Sequence, residues 1–228
     1  MMLNNATFII QWQILFQFKD EIGGYKIDEV LVLWGLAAST FGFSHVFFNG
    51  AHRLTDLIIH GKLDVFLVQP KNVLLSIITS GTSTSAIGDL LYGYLMAIIF
   101  TNTLGDMFLF VLFSITGGII MTSFVIILGS LSFWIKNGDM ITYNFYSVMV
   151  NVSTYPDGIF KGFVRGVLFT VIPTGFVVFL PMKIILQFNL SFMIGILLFT
   201  VGIIIVAFMV FYRGLRRYSS SNLMGARI

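Results

Sequence analysis

Apolar residues in this chain run in long blocks separated by short polar breaks. Residues 30–50, 85–100, 107–135, 161–180 and 190–212 each read as a helical span, because crossing a bilayer core takes about 20 apolar residues in helix. The stretch 107–135 is the longest and can cross with tilt. Residues 6–18 are shorter and carry Gln11, Gln13 and Gln17, so they read as a first span lacking part of its start. Counting that one, the pattern predicts about six spans. The breaks between them are charged or glycine-bearing: 19–29 with Gly23 and Gly24 at its bend, 101–106, 136–139 and 181–189. Residues 140–160 hold Asn144, Asn151, Ser153, Thr154, Pro156 and Asp157. That is too polar for an easy span, and it predicts an interfacial segment over about 136–160 that ends in the turn at Pro156 and Gly158.

The longest polar break, HRLTDLIIHGKLDVFLVQP at 52–70, has a pattern of its own. Leu54, Leu57 and Ile58, then Leu63, Phe66 and Leu67, recur at helical spacing, with Gly61 between the groups. Arg53, Asp56, Lys62 and Asp64 supply charge, and His52 and His60 flank them. Pro70 ends the pattern, since proline cannot continue a helix past its first turn. Two short amphipathic turns of this kind predict a docking surface in a loop over about 52–80; the alternative is an amphipathic connector lying on lipid headgroups. Residues 72–84 are Ser/Thr-rich and lead into the third span.

Composition fixes the solvent. Apolar residues make up 57% of the 228 and charged residues 10%, with a mean hydropathy of +0.94. Soluble domains carry about 25% charged residues, so the fold class expected is an all-α polytopic membrane protein in a single transmembrane unit over 1–228. The net charge is only +3, and the isoelectric point near 9.2 therefore gives no sign of nucleic-acid binding. What counts is where the basic residues fall. With the 52–80 loop and both termini inside, ten of them (Arg53, Lys62, Lys71, Lys136, Lys161, Arg165, Arg213, Arg216, Arg217, Arg227) lie inside and three (Lys19, Lys26, Lys183) outside. There is no cysteine, which excludes disulfides, thiolate metal sites and cysteine nucleophiles. The first apolar run has neither the basic start nor the small-residue cleavage site of a signal peptide.

Chemistry-bearing motifs are few. A phosphate-cradling loop needs G-x-x-x-x-G-K-[ST]; at the only Gly-Lys pair, Gly61-Lys62, Asp56 occupies the first glycine's place and Leu63 that of the hydroxyl residue. His45, His52 and His60 are spaced by seven and eight, which makes no zinc pair on a helix. Asp89 and Arg165 fall near the starts of their predicted spans, close enough to the interface to snorkel. Gly158, Gly162 and Gly166 stand four apart, a small-residue stripe that lets helices approach within the chain or across a dimer. Pro173 lies mid-span and frees a backbone carbonyl that a neighbour or a cavity must satisfy.

Four pieces in this order carry a family resemblance: HGKLDVFLVQP in the first long loop, Tyr155-Pro156 ahead of the glycine stripe, the spacing from Ile172-Pro173 to Leu180-Pro181, and GLRRYSS at 214–220. The chain resembles the permease subunits of type-2 ATP-binding-cassette exporters, of the bacterial multidrug branch. Its first span departs from the pattern by being short. The resemblance implies a non-catalytic, multi-pass subunit of the bacterial cell membrane with both termini cytoplasmic. Two permease chains, identical or related, would form the pathway, and each would engage a separate ATPase subunit that binds the ATP, so this chain would carry no cofactor. It further implies that the 53–68 loop is the coupling element, through Arg53, Asp56, Leu57, Gly61, Lys62, Leu63, Asp64 and Phe66. Spans two and five would line the pathway, which points to residues 30–50 and 161–180 with Gly158, Gly162, Gly166 and Pro173. Two other readings stay open: an ion-coupled secondary carrier, which would want midplane carboxylates and broken helices, and a membrane-embedded assembly factor. The resemblance leaves the substrate unspecified.

Overall fold

The computed structural model describes residues 2–101 and 103–218, with side chains from residue 7 onward. The ordered elements among them are helices: α1 (Met2–Phe16), α2 (Ile27–Phe47), α3 (Asn49–His52), α4 (Leu54–Ile59), α5 (Asp64–Leu67), α6 (Val73–Ile78) and α7 (Thr84–Phe100). There follow α8 (Leu104–Ser130), α9 (Gly138–Ser153), α10 (Gly162–Thr170), α11 (Leu180–Leu186) and α12 (Leu190–Leu215). The fold is all-α and polytopic, as the apolar blocks predict. Among the described residues three helices are long and apolar enough to cross a membrane: α2, α8 with the 3₁₀ turn that extends it, and α12.

Two polar faces frame the bundle. At one, which we call the loop face, Thr55 Oγ1 lies 3.3 Å from Thr142 Oγ1 and the Tyr212 hydroxyl donates to Asn72 Oδ1 at 2.9 Å. These contacts gather α4, α6, the start of α9 and the end of α12. At the opposite face helices begin on satisfied caps. The Lys26 N–H donates to Glu29 Oε2 at the head of α2. Thr103 and Asp106 exchange two bonds at the head of α8, and Asn189 Oδ1 accepts from Phe192 N at the head of α12. Each cap quiets donors that helix geometry leaves free.

Packing is tightest between α2 and α7. A Cβ placed on Gly42 would stand 2.6 Å from the Leu90 backbone nitrogen, and one on Gly93 would stand 2.8 Å from the Ser39 nitrogen. Lipid tails are as apolar as a helix surface, so association in a bilayer relies on such close backbone approach. α8 runs through the centre, with 72% of its most apolar stretch buried, whereas α12 buries only 22% and faces outward. A Cβ added to Gly202 on α12 would accordingly meet nothing within 4 Å.

The second half corrects the sequence reading. The polar segment over 136–160 is not an interfacial helix: α9 starts beside Thr55 on the loop face, and the turn after it reaches Tyr25 on the other. Residues 161–180 are not a straight span. α10 and the segment Gly175–Leu186 meet at 83°, at the break that holds Pro173, and the latter opens with one turn of π-helix over Gly175–Phe179. Both arms return to the same face, because Arg165 and Lys183 contact one carboxylate, Asp157. The element is a re-entrant hairpin. It restores the direction of the chain, so α12 still ends on the loop face even though α9 goes across. Lys161 and Arg165 therefore join Lys19, Lys26 and Lys183 opposite the loop. Residues 219–228, including Ser219, Ser220 and Arg227, lie outside the described residues.

Candidate functional site

The loop between α2 and α7 folds as two helical turns, α4 and α5, hinged where the pattern placed the break. Gly61 takes a φ of +65°, a left-handed value that side chains resist. Its N–H bonds Ile58 O at 3.3 Å while Lys62 N bonds Leu57 O at 2.8 Å. Arg53 closes the loop by donating from Nη2 to Ser80 O at 2.6 Å. Asp56 accepts from Lys62 Nζ at 3.1 Å and sits 2.7 Å from His60 Nδ1. All three are about half exposed, so these pairs contribute about 0–1 kcal/mol each.

The apolar positions divide in a way the spacing alone did not show. Leu54, Ile58 and Leu63 are buried on the protein itself, in a cluster with Leu74, Ile77, Phe133 and Phe211, and Leu57 and Phe66 are half-buried against it. Leu63, expected as a surface contact, is 0% exposed. The apolar tip left open is Val65 at 64%, Leu67 at 40% and Val68 at 82%. Asp64 lies beside Tyr218; burial first, then that carboxylate, pushes the Tyr218 phenol up from its ordinary value.

A polar joint links this loop to α2. His45 and His52 stack with ring centroids 3.7 Å apart. Ser44 Oγ is 2.9 Å from both His52 Nε2 and Thr122 Oγ1, and the Tyr146 hydroxyl is 3.3 Å from His45 Nε2. Seven residues of unbroken helix would hold the rings about 10 Å apart along the axis; the break at Phe48 between α2 and α3 brings His52 back onto His45. Burial, and secondarily the facing His45, holds His52 well below the ordinary value of 6.5. The sign follows from proton counting: below 6.5 the unfolded loop binds a proton that the folded one refuses, so stability is full above 6.5 and falls as pH drops under it. The hydrogen-exchange protection factors of residues 49–59, corrected for the intrinsic pH dependence of amide exchange, are expected to fall between pH 7.5 and 5.5 in the wild type and to stay level in His52→Gln. Equal pH dependence in both would show that His52 is not the titrating group.

Above the joint, between α1, α2, α7, α8 and α9, lies a cleft of about 360 Å³ that opens at the side of the bundle. Phe8, Trp34, Phe41 and Met121 form apolar walls, Asn151, Ser153 and Thr154 a polar side, and Asp89 its carboxylate. Asp89 was expected to snorkel; instead it is 5% exposed. Of the polar residues over 140–160, Ser153 is buried and Asn151 and Thr154 border this cleft, whereas Asn144 stays exposed. Non-lipid surface of this kind tolerates the first three.

The third polar site sits at the opposite face. Asp157, 3% exposed, accepts from the Tyr25 hydroxyl at 2.9 Å, Arg165 Nη2 at 3.2 Å and Lys183 Nζ at 2.8 Å. Burial first and the adjacent carboxylate second push the Tyr25 phenol far up. Gly158 packs against the Gly23 backbone, with no room for a Cβ. The expected stripe does not form on one helix face. Gly158 belongs to a turn, Gly162 takes a φ of +56° where α10 begins, and a Cβ on Gly166 would meet nothing within 4 Å. Pro173 is buried at the hairpin's bend.

An all-α bundle with helices long and apolar enough to cross a membrane, and a hinged loop between α2 and α7, defines a multi-pass membrane protein. Residues 2–222 match the family model described as ABC-2 family transporter protein, and the chain belongs to that family. No curated protein and no solved structure matches it. Membership implies an ATP-binding-cassette ATPase as partner and a membrane as setting.

Proposed function

We propose that this chain is the membrane-spanning subunit of an ATP-driven exporter and receives the ATPase stroke through α4 and α5. The observation that supports this reading most is the division of the loop into a base sealed on the bundle and an apolar tip open to a partner. Val65, Leu67 and Val68 would enter a groove of the ATPase; Arg53, Asp56, Lys62 and Asp64 would set orientation at its rim. Buried Leu63, half-buried Leu57 and Phe66, and the Gly61 hinge would pass the motion to the bundle. On this reading the loop face and both termini are cytoplasmic, in a bacterial cell membrane. Two permease chains make the pathway, and ATP is bound by the partner. An ion-coupled carrier would also use a buried carboxylate and a broken helix, as Asp89 and the hairpin supply, but family membership favours ATPase drive.

The test is ATPase copurification together with efflux in the same cells. Burying one valine-sized side chain contributes roughly 1.5–3 kcal/mol, so Val65→Asp with Val68→Asp should remove most of the bound ATPase. Lys62→Ala should change little, as a rim ion pair does. A double aspartate variant that binds ATPase and transports normally would reduce the loop to a headgroup-bound connector.

A further inference from the structure

We propose that the cleft at the base of the re-entrant hairpin, on the face opposite the loop, binds the phosphate of an anionic lipid between Arg165 and Lys183. The cleft holds about 520 Å³, within the roughly 300–1,000 Å³ of small-molecule sites. Among the residues that line it, Arg165 and Lys183 are the cations and Asp157 is the one carboxylate. One cation would neutralise that carboxylate; the second leaves the site with a surplus positive charge. The adjacent hollow, which shares Leu186, has the opposite sign, with Asp28, Glu29 and Asp106 set against Lys26. The positive field is therefore local to the hairpin, and it draws an anion there rather than to the face at large.

Donors remain for such a ligand. Arg165 Nη2 and Lys183 Nζ reach the same oxygen, Asp157 Oδ2, at 3.2 and 2.8 Å. The two nitrogens thus lie no more than about 6 Å apart, a gap that one phosphate spans with ordinary charge-assisted bonds. Tyr25 occupies the other oxygen, Oδ1. Among the described residues Arg165 spends one of its five donors and Lys183 at most one of its three. Both side chains are partly exposed. α12 begins at the rim, with Asn189 and Phe192 in the lining, and adds the positive end of its dipole. Two features select a lipid over a free anion. The cleft lies at the first turn of a helix long enough to cross the membrane, hence at the bilayer surface. Its flank, Leu186, Phe188 and Phe192, is apolar and exposed, which suits acyl chains. Basic pockets between spans hold acidic headgroups on these terms.

The test is hydrogen exchange of the full chain in nanodiscs without ATPase, comparing phosphatidylcholine alone with the same lipid plus phosphatidylglycerol. Protection of residues 162–166 and 183–187 is expected to rise about tenfold with phosphatidylglycerol, the scale of one charge-assisted hydrogen bond. A cationic lipid with the same chains should give no rise, and neither should millimolar inorganic phosphate added to phosphatidylcholine discs. Arg165→Gln with Lys183→Gln should abolish the response, and Lys183→Arg should keep it. Phe188→Ser with Phe192→Ser should reduce it, while Arg216→Gln with Arg217→Gln, on the loop face, should leave it intact. If the Arg165, Lys183 double variant does not fold, the comparison of lipids on the wild type decides alone. No gain with phosphatidylglycerol, an equal gain with the cationic lipid, or an undiminished gain in a folded double variant each overturns the proposal. An equal gain with inorganic phosphate assigns the cleft to a free anion and overturns the lipid. Because neither the loop nor an ATPase takes part, those failures are distinct from a failure of the loop variants, which would count against the exporter reading instead.

Discussion

Gly93→Leu is expected to leave little folded protein, while Gly202→Leu on α12 behaves as wild type. A side chain on Gly93 must enter the space of the Gly35 carbonyl and the Ser39 backbone. Overpacking costs about 1–3 kcal/mol where side chains can give way. Here the neighbour is backbone, so the cost lies at or above the top of that range. α2 and α7 would separate, and α2 carries both the loop joint and the cleft's aromatic wall. The measurement is thermal unfolding in detergent, with the monodisperse fraction on size exclusion as a second readout. Equal unfolding temperatures for the two leucine variants would show that the α2–α7 contact is not what holds the bundle.

Asp157→Ala is the second large effect expected. Removing the carboxylate strands three donors at once: Tyr25, Arg165 and Lys183. Breaking a fully buried pair costs about 3–5 kcal/mol. Arg165 and Lys183 are 46% and 37% exposed, so water takes over part of the role and a loss of about 2 kcal/mol is expected. Tyr25→Phe removes one hydrogen bond and should cost about 1 kcal/mol. The hairpin over 162–186 should lose hydrogen-exchange protection in Asp157→Ala while α8 keeps it. Unchanged protection of the hairpin would mean that packing of Val177, Phe179 and Met182 holds it without the ion pairs.

What could be read from the chain followed its contrasts in polarity. α2, α7, α8 and α12 begin or end within a few residues of the predicted blocks, since long apolar runs admit one solution in lipid. The loop's two turns and the Gly61 hinge were equally legible. α9 was not, because residues such as Asn151, Ser153 and Thr154 carry the same polarity whether they meet headgroups or a cleft between helices. The hairpin was missed because 20 apolar residues look alike straight or folded back; Pro173 marked the bend without giving its angle. One arithmetic signal lay unused. Arg165 and Lys183 sit in apolar surroundings on either side of Pro173, and Asp157 is the nearest carboxylate in sequence to both. The depth of Asp89 depends on how α7 lies against α2, which no local pattern carries.

The tie between Tyr25 and Asp157 gives α2 the mechanics of a lever. Its 21 residues make a rod about 32 Å long. It is pinned at one end by the carboxylate, stiffened along its side by α7, and loaded at the other end through the His45–His52 stack. Trp34 and Phe41 stand roughly one-third and two-thirds of the way from the pin. A push of about 3 Å at the loop would swing them by about 1 and 2 Å, on the rise of about 1.5 Å per residue. The cleft wall would therefore tilt rather than translate, opening more at the Phe41 end than at the Trp34 end.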